Sequence, residues 1–212
     1  TFLVRSGILN SVHSFASDPA RGVYILLFLS SLIFVSVFIL FKKFKLSNYY
    51  INSNSKETFI LVNNWFMIFY LITVLLGTVY PIFTEVLTNQ KVSVGPPFYN
   101  TVIIPIVVLF LMFMSIGPQA DWIRSKIKKK ILMLKILSLS ILVNLFIILF
   151  FKSYSVLSNL IIISSLFLIF SSSKDLFNFL KLKKNYFDLS RIISHLSFGF
   201  LILFIGLNYN FT

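Results

Sequence analysis

The sequence predicts an all-α membrane protein, a polytopic bundle of about six transmembrane helices. Hydrophobic residues make up 58% of its 212 residues and charged residues only 12%, a composition too apolar to surround a water-soluble core. The apolar residues also fall into runs near the ~20 residues that a helix needs to cross about 30 Å of hydrocarbon. These runs lack the alternation of barrel strands, so helices are the structures that satisfy their backbone groups in lipid.

Six apolar runs follow one another along the chain and predict the helices in order. The predicted spans are 22–41, 57–80, 98–117, 131–151, 155–173 and 190–207. They form a bundle over residues 22–212.

The segment 1–21 is predicted to lie at the outer membrane interface. Its stretch SVHSFA alternates small polar with apolar residues, as interfacial segments do. Asp18-Pro19 ends this stretch, because a proline disfavours helical conformation in the residue before it. The chain opens on Thr1 without the pattern of a signal or transit peptide, and we expect it to begin within a longer protein.

Basic residues orient the predicted bundle. Most of the 19 basic residues fall in three alternate connections, 42–56, 118–135 and 174–191. By the positive-inside rule these connections face the cytoplasm or matrix, and both termini lie on the outer side. The net charge of +13 therefore serves topology and contact with the lipid bilayer, and we expect no nucleic-acid partner.

Two histidines are the candidate metal ligands of the chain. The sequence has no cysteine, which excludes disulfides, zinc fingers and iron–sulfur ligation. His13 belongs to the outer segment, whereas His195 lies on the order of 7 Å into the last span from the inner side. Near opposite faces of the membrane, the two side chains are too far apart to bind one metal ion.

Each histidine has two interpretations. His195 either forms an interhelical hydrogen bond or binds a ligand, as expected of an ionisable group within the membrane. The small residues Ser194, Ser197 and Gly199 around it favour the ligand, because they leave room for a bulky planar group against the helix. His13 is either a solvated interfacial side chain or part of an outer site.

Several long and unusual strings resemble one known family. TFLVRSGILNSVHSFASDPARG, SKETFILVNNW, VLLGTVYPIFTEVLTNQKVSVGPPFYNTVIIP and IGPQADW occur in this order over residues 1–122. The resemblance weakens over 123–189 and returns at RIISHLSFGFLILFIG. Together they resemble the later part of CcmF, the large membrane subunit of the cytochrome c maturation heme lyase of bacteria and many mitochondria.

The resemblance implies two heme sites. CcmF receives heme from a heme chaperone at an outer site with two histidines and a tryptophan-rich surface, and directs its attachment to CxxCH thiols of apocytochrome c. His13 matches the second of these outer histidines. The family also holds a heme b within the membrane between two histidines, thought to pass electrons from quinol to the transferred heme. His195 matches the later histidine of that pair.

The departures from the family pattern predict a split protein. The tryptophan-rich motif, the first outer histidine and the first membrane heme ligand are missing, so an N-terminal half on a separate chain is expected to supply them. The abundance of Phe, Ile, Asn and Lys resembles an AT-rich organellar genome and favours the mitochondrial inner membrane over a bacterial plasma membrane. The alternative function is a CcmF-derived structural subunit of a larger inner-membrane assembly without lyase activity.

The loop before the third span has two interpretations. Gly95-Pro96-Pro97 is predicted to form a rigid outer turn that lets Asn100 begin or cap the helix. Alternatively, these residues form a wall of the heme or cytochrome site.

Other polar residues are candidates for supporting roles. Asn64, with its neighbours Asn63 and Trp65, lines the membrane heme pocket or forms hydrogen bonds between helices. Arg5 and Arg21 either pair with heme propionates or extend to the membrane interface.

Overall fold

The computed structural model describes residues 18–43, 53, 55–90, 92–122, 130–151, 155–182 and 186–209. All regular secondary structure in these ranges is helical, and the six long helices are each long and apolar enough to cross a membrane, which confirms the predicted fold class. The helices are α1 (Pro19–Lys43), α2 (Lys56–Thr88), α3 (Pro96–Ile116), α4 (Lys130–Phe151), α5 (Val156–Leu182) and α6 (Tyr186–Tyr209). A 3₁₀ turn, Gly117–Gln119, follows α3.

The helices divide into two compact units. The first unit holds α1 and residues 77–94, which include the end of α2. The second unit holds α2 up to Leu76 and all of α3 to α6. The second unit contains the candidate site.

Helix α1 begins at a side-chain cap. Asp18 precedes Pro19, and its Oδ1 accepts a hydrogen bond from the backbone nitrogen of Arg21 at 3.2 Å. The Arg21 side chain pairs with the same carboxylate, with 3.1 Å between Nε and Oδ2. An aspartate before a proline at the first helical position is a favourable helix start.

Helix α3 begins at Pro96, four residues before Asn100, which was predicted to begin or cap it. Gly95 is the N-cap residue in extended conformation, without a side-chain cap, and Pro96 and Pro97 are the first helical residues. Prolines fit there because the first backbone N–H groups of a helix need no intrahelical acceptor. The expectation that Asn100 begins or caps this helix is therefore wrong, since Asn100 lies in its second turn.

Helices α2 and α5 extend beyond the apolar runs that predicted them. Helix α2 ends at Thr88 and α5 at Leu182, where the sequence has become polar. In α2 the hydroxyl of Thr84 donates to the carbonyl of Pro81 at 2.9 Å, and that of Thr88 to the carbonyl of Thr84 at 2.6 Å. Such bonds give the hydroxyl groups acceptors within the helix itself.

Helix α5 lies at the centre of the second unit and packs against α3, α4 and α6. Several of its serines are buried. The hydroxyl of Ser158 donates to the carbonyl of Gly206 in α6 at 2.7 Å, and that of Ser171 to the carbonyl of Ser115 in α3 at 3.1 Å. Small side chains and interhelical hydrogen bonds are typical of helix packing in membranes.

Two glycines of α6 bring it close to α5. A Cβ atom on Gly199 would lie 2.8 Å from Cγ1 of Ile169, and one on Gly206 would lie 2.9 Å from Cγ2 of Ile161. Only glycine fits at such distances. The expectation that Gly199 leaves room for a planar ligand is wrong, because side chains of α5 occupy that space.

Candidate functional site

His195 lies on a partly buried face of α6 that borders a cavity. The helix begins at Tyr186, so His195 lies nine residues, about 13 Å, along its axis. Arg191 and Asp188, four and seven residues before His195, lie on the same face. All three side chains line a cavity of about 380 Å³ in the second unit.

Apolar side chains of α2 and α3 form the opposite wall of this cavity. Phe59 and Ile60 come from α2, and Phe110, Phe113 and Met114 come from α3. The rings of Phe59 and Phe113 are 5.8 Å apart between centroids and tilted by 53°. This wall can hold the face of a large planar apolar group.

The mouth of the cavity is polar and lies where α2 and α6 begin and α3 ends. Lys56 enters it from the first residue of α2, and Trp122 from the segment after α3. The backbone nitrogen of Lys56 donates to the carbonyl of Asp121 at 3.0 Å, and its Nζ lies 5.6 Å from the centroid of the Trp122 ring. Backbone and cation–π contacts therefore hold the two chain segments together.

The segment IGPQADW, residues 116–122, lines this end of the cavity with Gly117, Pro118 and Trp122. Gln119 donates from Nε2 to both carboxylate oxygens of Asp175 in α5, at 2.9 and 3.2 Å. A Cβ atom on Gly117 would lie 3.4 Å from Cβ of Phe59, so the turn packs tightly on α2. The position of Trp122 at the mouth follows from these two attachments.

The donor chemistry of the cavity fits one side of a heme. A neutral imidazole is a common axial ligand of heme iron. The aromatic wall suits the porphyrin, and the cations Lys56 and Arg191 suit its carboxylates. The carboxylate of Asp188 lies 3.5 Å from Nη2 of Arg191, and this pair is partly exposed.

The structure brings together some of the predicted residues and separates others. Asn63 lines the cavity with His195, whereas its neighbours Asn64 and Trp65 are exposed and do not. The indole of Trp65 stacks on Phe69, with 6.2 Å between centroids. His13 and Arg5 lie outside the described residues.

Three charged residues of the cavity were missed in the sequence. Asp188 and Arg191 are spaced seven and four residues before His195, a spacing that places them on one helical face and could have indicated them. Lys56 belongs to a distant segment, and only the tertiary contact with Trp122 brings it to the mouth.

A second, larger cavity of about 520 Å³ lies between α2, α3 and α6. Its lining is mainly apolar, and it includes Asn100, Tyr70 and Tyr209. Phe110 lines both cavities. The ring of Phe198 packs against Phe110 with 6.1 Å between centroids.

Comparison with known proteins identifies relatives that are cytochrome c-type biogenesis proteins. The chain is 41% identical over 129 residues to CcmF of Pseudomonas fluorescens, covering 60% of this chain and 19% of that protein. It is 38% identical over 131 residues to CcmF of Escherichia coli strain K12, covering 61% and 20%. It is also 41% identical over 129 residues to CycK of Rhizobium meliloti strain 1021, covering 58% and 19%.

These similarities confirm the resemblance to CcmF. The chain spans about a fifth of the length of the curated relatives it matches. No family model and no solved structure matches it.

Proposed function

We propose that this chain is one part of a cytochrome c heme lyase of the mitochondrial inner membrane. The assembled enzyme accepts heme from a heme chaperone and promotes thioether attachment of that heme to the CxxCH motif of apocytochrome c. Similarity to cytochrome c-type biogenesis proteins supports this function. In this proposal the N-terminal half of the lyase, which carries the tryptophan-rich motif, is a separate partner chain.

Within this enzyme His195 would ligate the iron of a resident heme b. The observation that carries this assignment is the cavity in which His195 faces an aromatic wall and two cations. A heme bound there supplies one-electron transfer, with quinol as the source of electrons. His195 would hold the iron, the phenylalanine wall would keep water from it, and the partner half would provide a further histidine ligand.

His13 ligates the transferred heme, which is a substrate and not a resident cofactor. This assignment rests on the match of SVHSFASDP to the CcmF family. Ligation has to be firm enough to orient the vinyl groups and weak enough to release the product. Replacement of His13 by alanine should abolish formation of holocytochrome c while the resident heme spectrum is unchanged.

The test is the absorption spectrum of the complex, oxidised and dithionite-reduced, purified with its partner half in mild detergent. The wild-type complex should give a six-coordinate heme b spectrum, and His195→Ala should remove it. Ser194→Ala is the matched control, because Ser194 is exposed and its hydroxyl bonds to the carbonyl of Ser190 in the same helix. That variant should keep the heme.

Two results would contradict the proposal. An intact partner-bound complex without heme, or heme retained in His195→Ala, would remove the resident site. In the first case, copurification with respiratory subunits and not with a heme chaperone would assign the chain to the alternative structural role.

A further inference from the structure

We infer that Arg191 and Lys56 bind the two propionate groups of the heme whose iron His195 ligates, so that its carboxylate edge lies at the polar mouth of the cavity. This inference rests on the proposed function, because it takes His195 as an axial ligand. It adds an orientation for the heme and assigns two further residues to its site.

Arg191 has the position that a propionate requires. It precedes His195 by four residues, about 6 Å along the axis, on the same face of α6. Both side chains line the cavity. A planar ligand whose centre lies at the imidazole therefore extends past the guanidinium towards the start of α6.

Lys56 supplies a second cation from a different helix. It lines the same cavity, and its backbone is fixed by the 3.0 Å hydrogen bond to the carbonyl of Asp121. Its ammonium group lies over the Trp122 ring. A heme has two propionates, and two cations on separate helices can each bind one by a charge-assisted contact.

The rest of the cavity disfavours the opposite orientation. The wall of α3 consists of Phe110, Phe113 and Met114, and Phe110 also borders the apolar second cavity. A carboxylate placed against this wall would lose its hydration without gaining a cationic partner. The two cations and the apolar wall of α3 therefore both favour a heme with its propionates at the mouth of the cavity.

Asp188 competes with the propionate for Arg191. Its carboxylate lies 3.5 Å from the guanidinium, and both side chains of the pair are partly exposed. Exposed ion pairs of neighbours along a helix are weak, so a propionate can displace Asp188. The remaining negative charge at the mouth should weaken propionate binding, and removing it should strengthen it.

The test compares hemin with hemin dimethyl ester, in which both propionates are esterified. The complex of the chain with its partner half is titrated with each, and the ratio of the two dissociation constants gives the preference for free carboxylates. Wild type should prefer hemin, and Arg191→Gln and Lys56→Gln should each reduce this preference about 10-fold. Arg191→Lys should keep most of it, and Asp188→Asn should increase it.

The midpoint potential of the bound heme gives an independent readout. A nearby cation stabilises the ferrous form, which carries one more electron. Arg191→Gln and Lys56→Gln should therefore lower the potential, and Asp188→Asn should raise it. Lys181→Gln is the control, because Lys181 is an exposed cation in the last turn of α5 that does not line the cavity.

The outcomes separate this inference from the proposed function. Equal binding of hemin and its dimethyl ester by wild type would overturn the propionate assignment while the heme site stands. If Arg191→Gln and Lys56→Gln both leave the preference for hemin and the midpoint potential unchanged, the propionate assignment is overturned as well. If wild type binds neither compound, or if His195→Ala binds them as tightly as wild type does, the proposed heme site itself fails.

Discussion

The two halves of one face of α6 differ in what their contacts require. Positions 188, 191, 195, 199 and 206 lie on this face, because they are spaced three, four, four and seven residues apart. In the second half of α6, Gly199 and Gly206 lie against isoleucines of α5 at distances that admit no side chain. In the first half, Asp188, Arg191 and His195 border an open cavity. The packed half requires glycines, whereas the cavity half presents an imidazole and two charged groups.

This difference separates stability from function. Changes in the packed half should lower the stability of the bundle while His195 is kept. Changes in the cavity half should alter binding at the proposed heme site with little effect on the bundle. The predictions below test this separation.

Gly199→Val should have the largest effect on stability. The new side chain would overlap Ile169, whose Cγ1 already lies 2.8 Å from the position of a Cβ atom. Overpacking of this kind should lower the free energy of unfolding by about 3 kcal/mol. Unfolding of the purified complex by increasing SDS in mixed detergent micelles measures this change.

Ser197→Val is the control for this prediction. Ser197 lies on the same helix and is exposed, so its replacement should change stability by less than about 0.5 kcal/mol. Equal stability of the two variants would contradict the close contact between α5 and α6.

Gln119→Ala should have an intermediate effect. Its amide bonds to both oxygens of Asp175, and hydrogen bonds to a charged group contribute about 1.5 kcal/mol or more. Because this bond fixes the segment that carries Trp122, the same variant should also loosen heme at the mouth of the cavity. Unfolding in SDS and the rate of heme loss to apomyoglobin measure the two effects, and no change in either would contradict the attachment.

Ser158→Ala should have the smallest effect. It removes the 2.7 Å hydrogen bond to the carbonyl of Gly206, and interhelical hydrogen bonds in membranes contribute about 0.6 kcal/mol on average. Ser164→Ala is the matched control, because the Ser164 hydroxyl bonds to the carbonyl of Ile161 within α5. A larger loss in the control than in Ser158→Ala would contradict the role of this interhelical bond.

The sequence predicts the helical fold well because the apolar runs have the length that a bilayer demands. It underestimates the lengths of α2 and α5, which continue past the predicted ends at 80 and 173. In the extension of α2, the hydroxyl of Thr84 bonds to the carbonyl of Pro81 within the helix. Composition alone cannot distinguish a helix that continues beyond its apolar run from the start of a loop.

The candidate site is only partly predictable from the sequence. His195 stands out as an ionisable residue in an apolar run, and its helical face could have indicated Arg191. Lys56 and Trp122 could not be assigned, because they meet only after α2 and the end of α3 pack together. Gly199 was assigned to the ligand and serves helix packing instead, since periodicity does not tell at which residue this face of α6 passes from the cavity to contact with α5.

Imidazole rescue of a His195→Gly complex tests the central claim, ligation of heme iron by His195, most directly. The variant should lack the six-coordinate heme b spectrum, and added imidazole should restore it with hemin present, since the small ligand can occupy the space of the missing side chain. Stability in SDS should change little. A six-coordinate spectrum in the variant without imidazole, or no response to imidazole at any concentration that leaves wild type intact, would contradict the assignment.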